Sequence, residues 1–226
     1  MTLKAIVISD THSLHDDLTL PDGDILIHCG DWTNRGRAHE MDNFLTWFIA
    51  QPHKHKVFIA GNHELTLDDD KREYALALVH EYVDKSENVH YLENSSVTIE
   101  GIKIYGSPIS PIWVNGWAFN FERGPEMAEE WEKIPDDVQL LITHGPPYGI
   151  LDLVVDKPKN VGRDLHQGCE ELILRVKELK QLKTHVFGHL HYNGGQTTVI
   201  DGVTFGNAAF CDDDHNPVHS PLELTL

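Results

Sequence analysis

Five runs rich in Val and Ile, each about the length of a buried strand, stop short at clusters of Asp, Asn or His. The runs are residues 4–9 (KAIVIS), 24–29 (DILIHC), 56–60 (KVFIA), 138–143 (VQLLIT) and 184–187 (THVF). They lead into Asp10 and His12, Gly30 and Asp31, the tetrad Gly61 to Glu64 (GNHE), His144 with Gly145, and Gly188 to His191 (GHLH). Short apolar runs bounded by such breaks read as strands buried in a sheet. In open α/β sheets the chemistry gathers at the carboxyl ends of the strands. Five clusters of metal-type donors at five such ends supply enough ligands for two metal ions, and the pattern predicts a hydrolase with a two-metal centre.

Between these runs the pattern changes period. Residues 38–50, 70–84, 125–133 and 168–182 carry apolar side chains three and four apart, the spacing of amphipathic helices. Residues 89–106 and 196–207 read as short strands, with turns at Gly101, Gly194-Gly195 and Asp201-Gly202. Strands and helices are mixed throughout, so the fold class is α/β with helices on both faces of the sheet system. Strand order is not encoded in this pattern. No Ser/Gly or Pro-rich linker, repeat or low-complexity tract interrupts the chain, and the ligand clusters extend from Asp10 to His191. A single domain over residues 1–226 is therefore expected, large enough to bury an ample core.

The formal net charge is -18, which argues against a nucleic-acid polymer as partner, since such binding draws on a basic surface. A small phosphorylated substrate remains compatible. Two divalent cations set against Asp10, Asp31 and one hydroxide leave about one unit of positive charge, a local focus for a small anion. No apolar stretch reaches the roughly 18 residues that span a bilayer, and no apolar leader precedes the first strand, so neither membrane nor secretion is expected. Cys29, Cys169 and Cys211 form an odd set without CxxC spacing. This favours reduced thiols and a cytoplasmic location, with Cys29 a small buried hydrophobe. A homo-oligomer is compatible with the sequence.

Asp10 and His12 are two residues apart, as are His189 and His191. On an extended backbone residues i and i+2 point the same way, so each pair can close on one metal from a single strand end. Imidazole nitrogen with carboxylate oxygen suits zinc, iron or manganese. Asp31 offers a carboxylate able to bridge two cations, and Asn62 a neutral amide oxygen that leaves the charge of the centre intact. Two metals about 3.5–4 Å apart hold a bridging hydroxide and stabilise both attacking and leaving oxygens. No Ser or Cys motif supplies an alternative nucleophile with its base. Each motif alone is weak, since Gly-Asp is an ordinary turn dipeptide; the agreement of type, order and placement at all five carries the reading. Of the 16 histidines, those outside the five clusters, among them His28, His185 and His215, receive no role.

The series DxH, GDxxxRG, GNHE, HGPP and GHLH resembles the calcineurin-like metallophosphoesterases over about four fifths of the chain. The resemblance implies a four-layer αββα sandwich of two mixed β-sheets flanked by helices, with a dinuclear centre that hydrolyses phosphomonoesters or phosphodiesters. By that resemblance Asp10, His12, Asp31 and His191 hold one ion, and Asp31, Asn62, His144 and His189 the other. Asp31 and His63 are then the catalytic residues, with His63 protonating the leaving group. Asn62, His63 and Arg35 are the residues that contact substrate.

Residues 106–124, with Trp113, Trp117 and Phe119, resemble the insert of the metallophosphoesterase-domain-containing group of phosphodiesterases. So do residues 144–147, 168–172 and 207–211. That likeness adds cyclic and other phosphodiesters, and nucleotides, to the expected substrates. Trp113, Trp117 and Phe119 could stack a nucleobase, worth roughly 1–3 kcal/mol, or form the packed underside of a loop. Asn207 and Cys211 are not placed by the sequence. Arg35 stands where phosphoprotein phosphatases of the superfamily carry a phosphate-binding arginine, but Ala60 replaces the one they carry before GNHE. A phosphoprotein substrate is therefore disfavoured. The alternative from another class is a binding or scaffold protein on the same fold with negligible turnover, and the weakest is a nuclease.

Overall fold

A computed structural model describes residues 2–154 and 165–226. Along the chain run β1 (Lys4–Ile8), β2 (Ile25–His28), α1 (Ala38–Ala50), β3 (His55–Phe58), α2 (Arg72–Val83), β4 (Val89–Tyr91), β5 (Ser95–Ile99), β6 (Ile102–Ser107), β7 (Ser110–Pro111), β8 (Asn120–Phe121), α3 (Pro125–Glu132), β9 (Leu140–Thr143), α4 (Glu170–Glu178), β10 (Thr184–Phe187), β11 (Gln196–Ile200), β12 (Val203–Asn207) and β13 (Leu222–Thr225). One sheet has the order β13-β1-β2-β3-β4 and the other β11-β12-β10-β9-β6-β5. In the first, β1 to β4 are parallel and β13 closes the edge antiparallel to β1, with Leu222 opposite Val7. In the second, β12, β10, β9 and β6 form a parallel centre between the antiparallel edges β11 and β5.

The two-residue period of the strands sorts their side chains into three cores. Ile6, Ile8, Leu26 and Phe58 point outward and meet Met41, Phe44 and Phe48 of α1 and Ala75 and Val79 of α2. Their neighbours Ala5, Val7, Ile25, Ile27 and Val57 point inward, against Ile104, Leu140, Ile142 and Val186 of the second sheet. On the far side Tyr105, Leu141, Phe187 and Phe205 pack on Met127 and Trp131 of α3 and Leu172 and Val176 of α4. Each central strand is thus covered on both faces, which is why its sequence runs apolar without alternation. Each fully buried aliphatic side chain contributes about 1.5–3 kcal/mol. This is the four-layer αββα sandwich expected, and Cys29 is fully buried within its middle layer.

Local departures have physical causes. α4 spans Glu170–Glu178, capped at Cys169, whose sulfur accepts from the Leu172 amide at 3.4 Å. Leu179 and Leu182 continue the apolar spacing because they are buried in the outer core, not because the helix goes on. β13 was not anticipated: LELT is too short and too polar to announce a strand, and its place comes from pairing with β1. Among the described residues no helix is long and apolar enough to cross a membrane.

Candidate dinuclear metal centre

The strands stop one to four residues before the expected ligands, and at several of these the backbone turns into the left-handed region. Asp10 (φ 52°), His12 (φ 43°), Asp31 (φ 55°) and His189 (φ 67°) all have positive φ. A non-glycine residue held there costs about 1–3 kcal/mol, and such strain gathers where side-chain direction matters more than backbone comfort. The extended-backbone argument for the i, i+2 pairs is therefore corrected. β1 ends at Ile8 and β10 at Phe187, and His191 opens a short 3₁₀ turn. His189 and His191 accordingly diverge into two different donor groups.

In the first group, His144 Nε2 lies 3.2 Å from Asp31 Oδ2 and 2.9 Å from Asn62 Oδ1. The donor atoms of Asp31, His144 and His189 all fall within 4.8 Å of one another. In the second, His191 Nε2 is 3.4 Å from His12 Nε2 and 3.4 Å from Asp10 Oδ1. His12 and Asp31 also share a group with His63. Asp31 thus stands in common between the two sets, and all seven expected ligands are brought together.

Outer hydrogen bonds fix the ring orientations. His144 Nδ1–H donates to the Cys29 carbonyl (2.9 Å) and His191 Nδ1–H to the Asp212 carbonyl (2.9 Å), which turns both Nε2 lone pairs inward. His144 Nε2 then faces an amide oxygen and a carboxylate oxygen, neither of which carries a proton. Lone pairs aimed at one another call for a cation or a proton between them. Burial opposes charge on His144 and His191, but Asp31 beside one and Asp10 beside the other raise both to about 9. Burial likewise works against the carboxylates, yet His191 holds Asp10, and His144 holds Asp31, well below the usual range. Burial drives His12 and His189 down to about 3, so both rings stay neutral and available as ligands. Two anionic oxygens, one amide oxygen and four imidazole nitrogens fit a pair of divalent transition-metal ions.

Residues without an expected role brace this arrangement. Buried Glu64 accepts from the Asp31 amide (3.0 Å), the Gly61 amide (2.6 Å) and the Thr33 amide (2.9 Å), tying the Asp31 loop to the Asn62 loop. Burial and the nearby Asp31 push its carboxyl up to about 8. His28 accepts from the Gly30 amide at Nδ1 (3.3 Å) and donates from Nε2 to Thr11 Oγ1 (3.0 Å). The His189 amide donates to both Asp10 oxygens (3.0 and 2.9 Å). Asn207 Nδ2 donates to the Leu190 carbonyl (2.9 Å), holding the turn between His189 and His191. Gly188 is obligatory there, because a Cβ would collide with the Asp10 carboxylate and Ser9. Glu64 and Gly188 lie inside the GNHE and GHLH clusters and Asn207 in the 207–211 stretch, but their bracing contacts run to distant backbone groups and side chains, which the sequence does not show.

His63 stands beside the centre. Its amide donates to Asp31 Oδ1 (2.8 Å), its Nδ1–H to the Asn34 carbonyl (2.9 Å), and its Nε2 is 3.9 Å from Asp31 Oδ2. Trp117 packs on its ring at 4.2 Å between centroids. Arg35 does not line the cleft; its guanidinium lies 4.9 Å from the Trp117 ring, on an exposed loop. Of the three aromatics, Phe119 is buried in the core between the first sheet and its helices, Trp117 packs on His63, and only Trp113 reaches the cleft wall. The cleft measures about 260 Å³ and is lined by Asp31, Asn62, His63, His189 and His191 together with Trp113 and His215. His215, given no role by the sequence, stacks on His12 at 4.3 Å.

The sheet sandwich and the donor clusters at its strand ends are the features of a metallophosphoesterase. The calcineurin-like phosphoesterase family model matches residues 3–193. Metallophosphoesterase domain-containing protein 1 of Homo sapiens is 40% identical, over 99% of this chain and 71% of its own, and the Mus musculus protein gives the same figures. Among solved structures, phosphopantetheinyl hydrolase from Mycobacterium tuberculosis has a TM-score of 0.61 at 17% identity, covering 98% of this chain and 95% of that one, a likeness of fold alone. The chain belongs to the calcineurin-like phosphoesterase family, which implies divalent metal ions.

Proposed function

We propose that the protein is a dinuclear metal-dependent hydrolase of a small phosphodiester or phosphomonoester, with nucleotides among its candidate substrates. The observation that carries this reading is the convergence of metal-type donor atoms on two sides of Asp31, with His144 Nε2 facing Asp31 and Asn62 oxygens. Asp10, His12, Asp31 and His191 would hold one Mn, Fe or Zn ion, and Asp31, Asn62, His144 and His189 the other. Two such ions, when bound, lower the pKa of water and neutralise phosphoryl oxygens.

The chain's own residues supply the rest. Asp31 receives the His63 amide, so the residue that sets the centre also sets the position of His63. Because His63 Nδ1–H is engaged by Asn34, Nε2 is the atom left to hand a proton to the leaving oxygen. Trp117 restricts the ring to that orientation. Asn62 lines the cleft beside His63 and Asp31, within reach of a phosphoryl group held there. Arg35 would have to leave Trp117 to clamp that group, which makes it the weakest of the expected contacts. A cleft of about 260 Å³ suits a phosphoryl group with a modest substituent, and exposed Trp113 at its wall offers a flat face to a base. The net charge of -18 opposes a polymer. The test is a hydrolysis panel of matched phosphomonoesters, cyclic nucleotides and noncyclic diesters, with manganese, zinc or iron. Chelator-sensitive turnover supports the reading, and its absence with all three metals defeats it in favour of a scaffold.

A further inference from the structure

We propose that His215 binds substrate directly, as a second imidazole set beside His63, an inference that rests on the phosphoesterase reading above. His215 lies outside residues 3–193, the part of the chain matched to the family. Its turn is built rather than loose. The Asp212 carboxylate accepts from the amides of Asp214 (3.0 Å) and Asn216 (2.8 Å), the His215 amide donates to the Asp212 carbonyl (2.9 Å), and Cys211 bridges Pro217. The same Asp212 carbonyl receives His191 Nδ1–H, so this turn orients a metal-type ligand and presents His215 in one structure. It holds His215 at φ 59°, a strained backbone for a non-glycine residue.

The ring of His215 lies 4.3 Å from His12, 5.7 Å from His191 and 6.2 Å from His63, centroid to centroid, and it lines the cleft. Its donor atom falls within 4.8 Å of those of His12 and His191, which by distance alone admits a metal ligand. Ring geometry decides against that. An imidazole ligates through a lone pair in its own plane, so the planes of two rings that share one ion must meet at the ion. His12 and His215 are stacked with 6° between their planes, and such planes do not meet near the rings. His12 and His191, at 59°, satisfy the condition. With His12 as ligand, His215 cannot join it on the same ion. Its nitrogens are left to the molecule that enters the cleft, where an N–H can donate to a phosphoryl or ester oxygen.

Two variants separate this role from mere packing. His215→Phe keeps a ring against His12 and removes both nitrogens; His215→Asn keeps a polar group and tolerates the left-handed backbone. Metal content, calorimetric affinity for inorganic phosphate and steady-state kinetics would be measured on the metal-loaded full chain. Both variants should retain two ions. His215→Phe should weaken phosphate binding and raise KM for a phosphodiester by roughly 10- to 100-fold, the loss of one hydrogen bond to a charged group, and His215→Asn should fall between. Loss of an ion in His215→Phe would make His215 a ligand and overturn the proposal, as would phosphate affinity equal to that of the unaltered protein. Failure of the unaltered, metal-loaded protein to hydrolyse any ester would sink the phosphoesterase reading instead, while the phosphate measurement still judges His215.

Discussion

Acid should unfold this protein through histidines that never touch substrate. His28 and His185 are fully buried, and burial pushes each from the ordinary 6.5 down to about 3. His185 donates from Nε2 to Thr143 Oγ1 (2.8 Å) while its Nδ1 is buried without a partner among the described residues, near the rings of Phe187 and Phe205. A proton added at Nδ1 would find neither water nor an acceptor. The folded-state value lies below the unfolded one, so between pH 6.5 and 3 the unfolded chain binds the extra proton. The stabilisation is complete above pH 6.5 and is lost as pH falls toward 3. Each such histidine contributes about 1.4 kcal/mol per pH unit to that slope, and the pair about 2.7 kcal/mol. Urea denaturation of chelator-treated protein at intervals from pH 6.0 to 4.5 reads the slope. His185→Gln keeps a donor for Thr143 and should flatten it by about 1.4 kcal/mol per pH unit. The remaining titrating groups, Glu64 and the ligand histidines included, are common to both proteins and cancel in the difference. Equal slopes would show that His185 already carries its proton when folded, and the burial argument would fail.

His63→Ala should lower kcat by roughly 10²- to 10⁴-fold with both metals retained. The defect should shrink for a nitrophenolate leaving group, and an equal defect on good and poor leaving groups would reject the acid role. Trp117→Ala removes the ring that packs on His63 and carries the Arg35 guanidinium; about a tenfold loss of kcat with the same leaving-group dependence as His63→Ala is expected from misplacement of His63, and an unchanged kcat would show that the stack positions nothing. Gly188→Ala presses a methyl group on the Asp10 carboxylate. It should lower occupancy of the ion on the Asp10 side while leaving the fold intact by circular dichroism, and full occupancy would contradict the packing argument.

The central strands and the ligand order were legible because each run announces itself twice, by an apolar stretch of strand length and by the donor cluster that ends it. Asp31 could be read as a candidate bridging carboxylate for the same reason. The left-handed backbone at Asp10, His12, Asp31 and His189 was not legible, since positive φ at a non-glycine residue is imposed by tertiary contacts. That is why, on an extended backbone, His189 and His191 could be read as closing on one ion, whereas the structure puts them in separate donor groups. Glu64 and Asn207 act through backbone groups of distant loops, and His28 partly so, through the Gly30 amide and the Thr11 hydroxyl. A contact of that kind leaves no periodicity to read. His215 lies in a turn whose only local signal, an Asp four residues before an Asn, occurs in many loops. Phe119 shows the converse: the sequence pattern allowed a stacking residue, and the fold made it core.

The most direct test of the account is metal analysis of reconstituted protein alongside Asp31→Ala. Because Asp31 shares donor groups with His12 on one side and with His144 and His189 on the other, the unaltered chain should bind two transition-metal ions and the variant should lose most of both, together with chelator-sensitive hydrolysis. One ion or none in the unaltered protein, or two retained in Asp31→Ala, would contradict a centre built around a shared carboxylate.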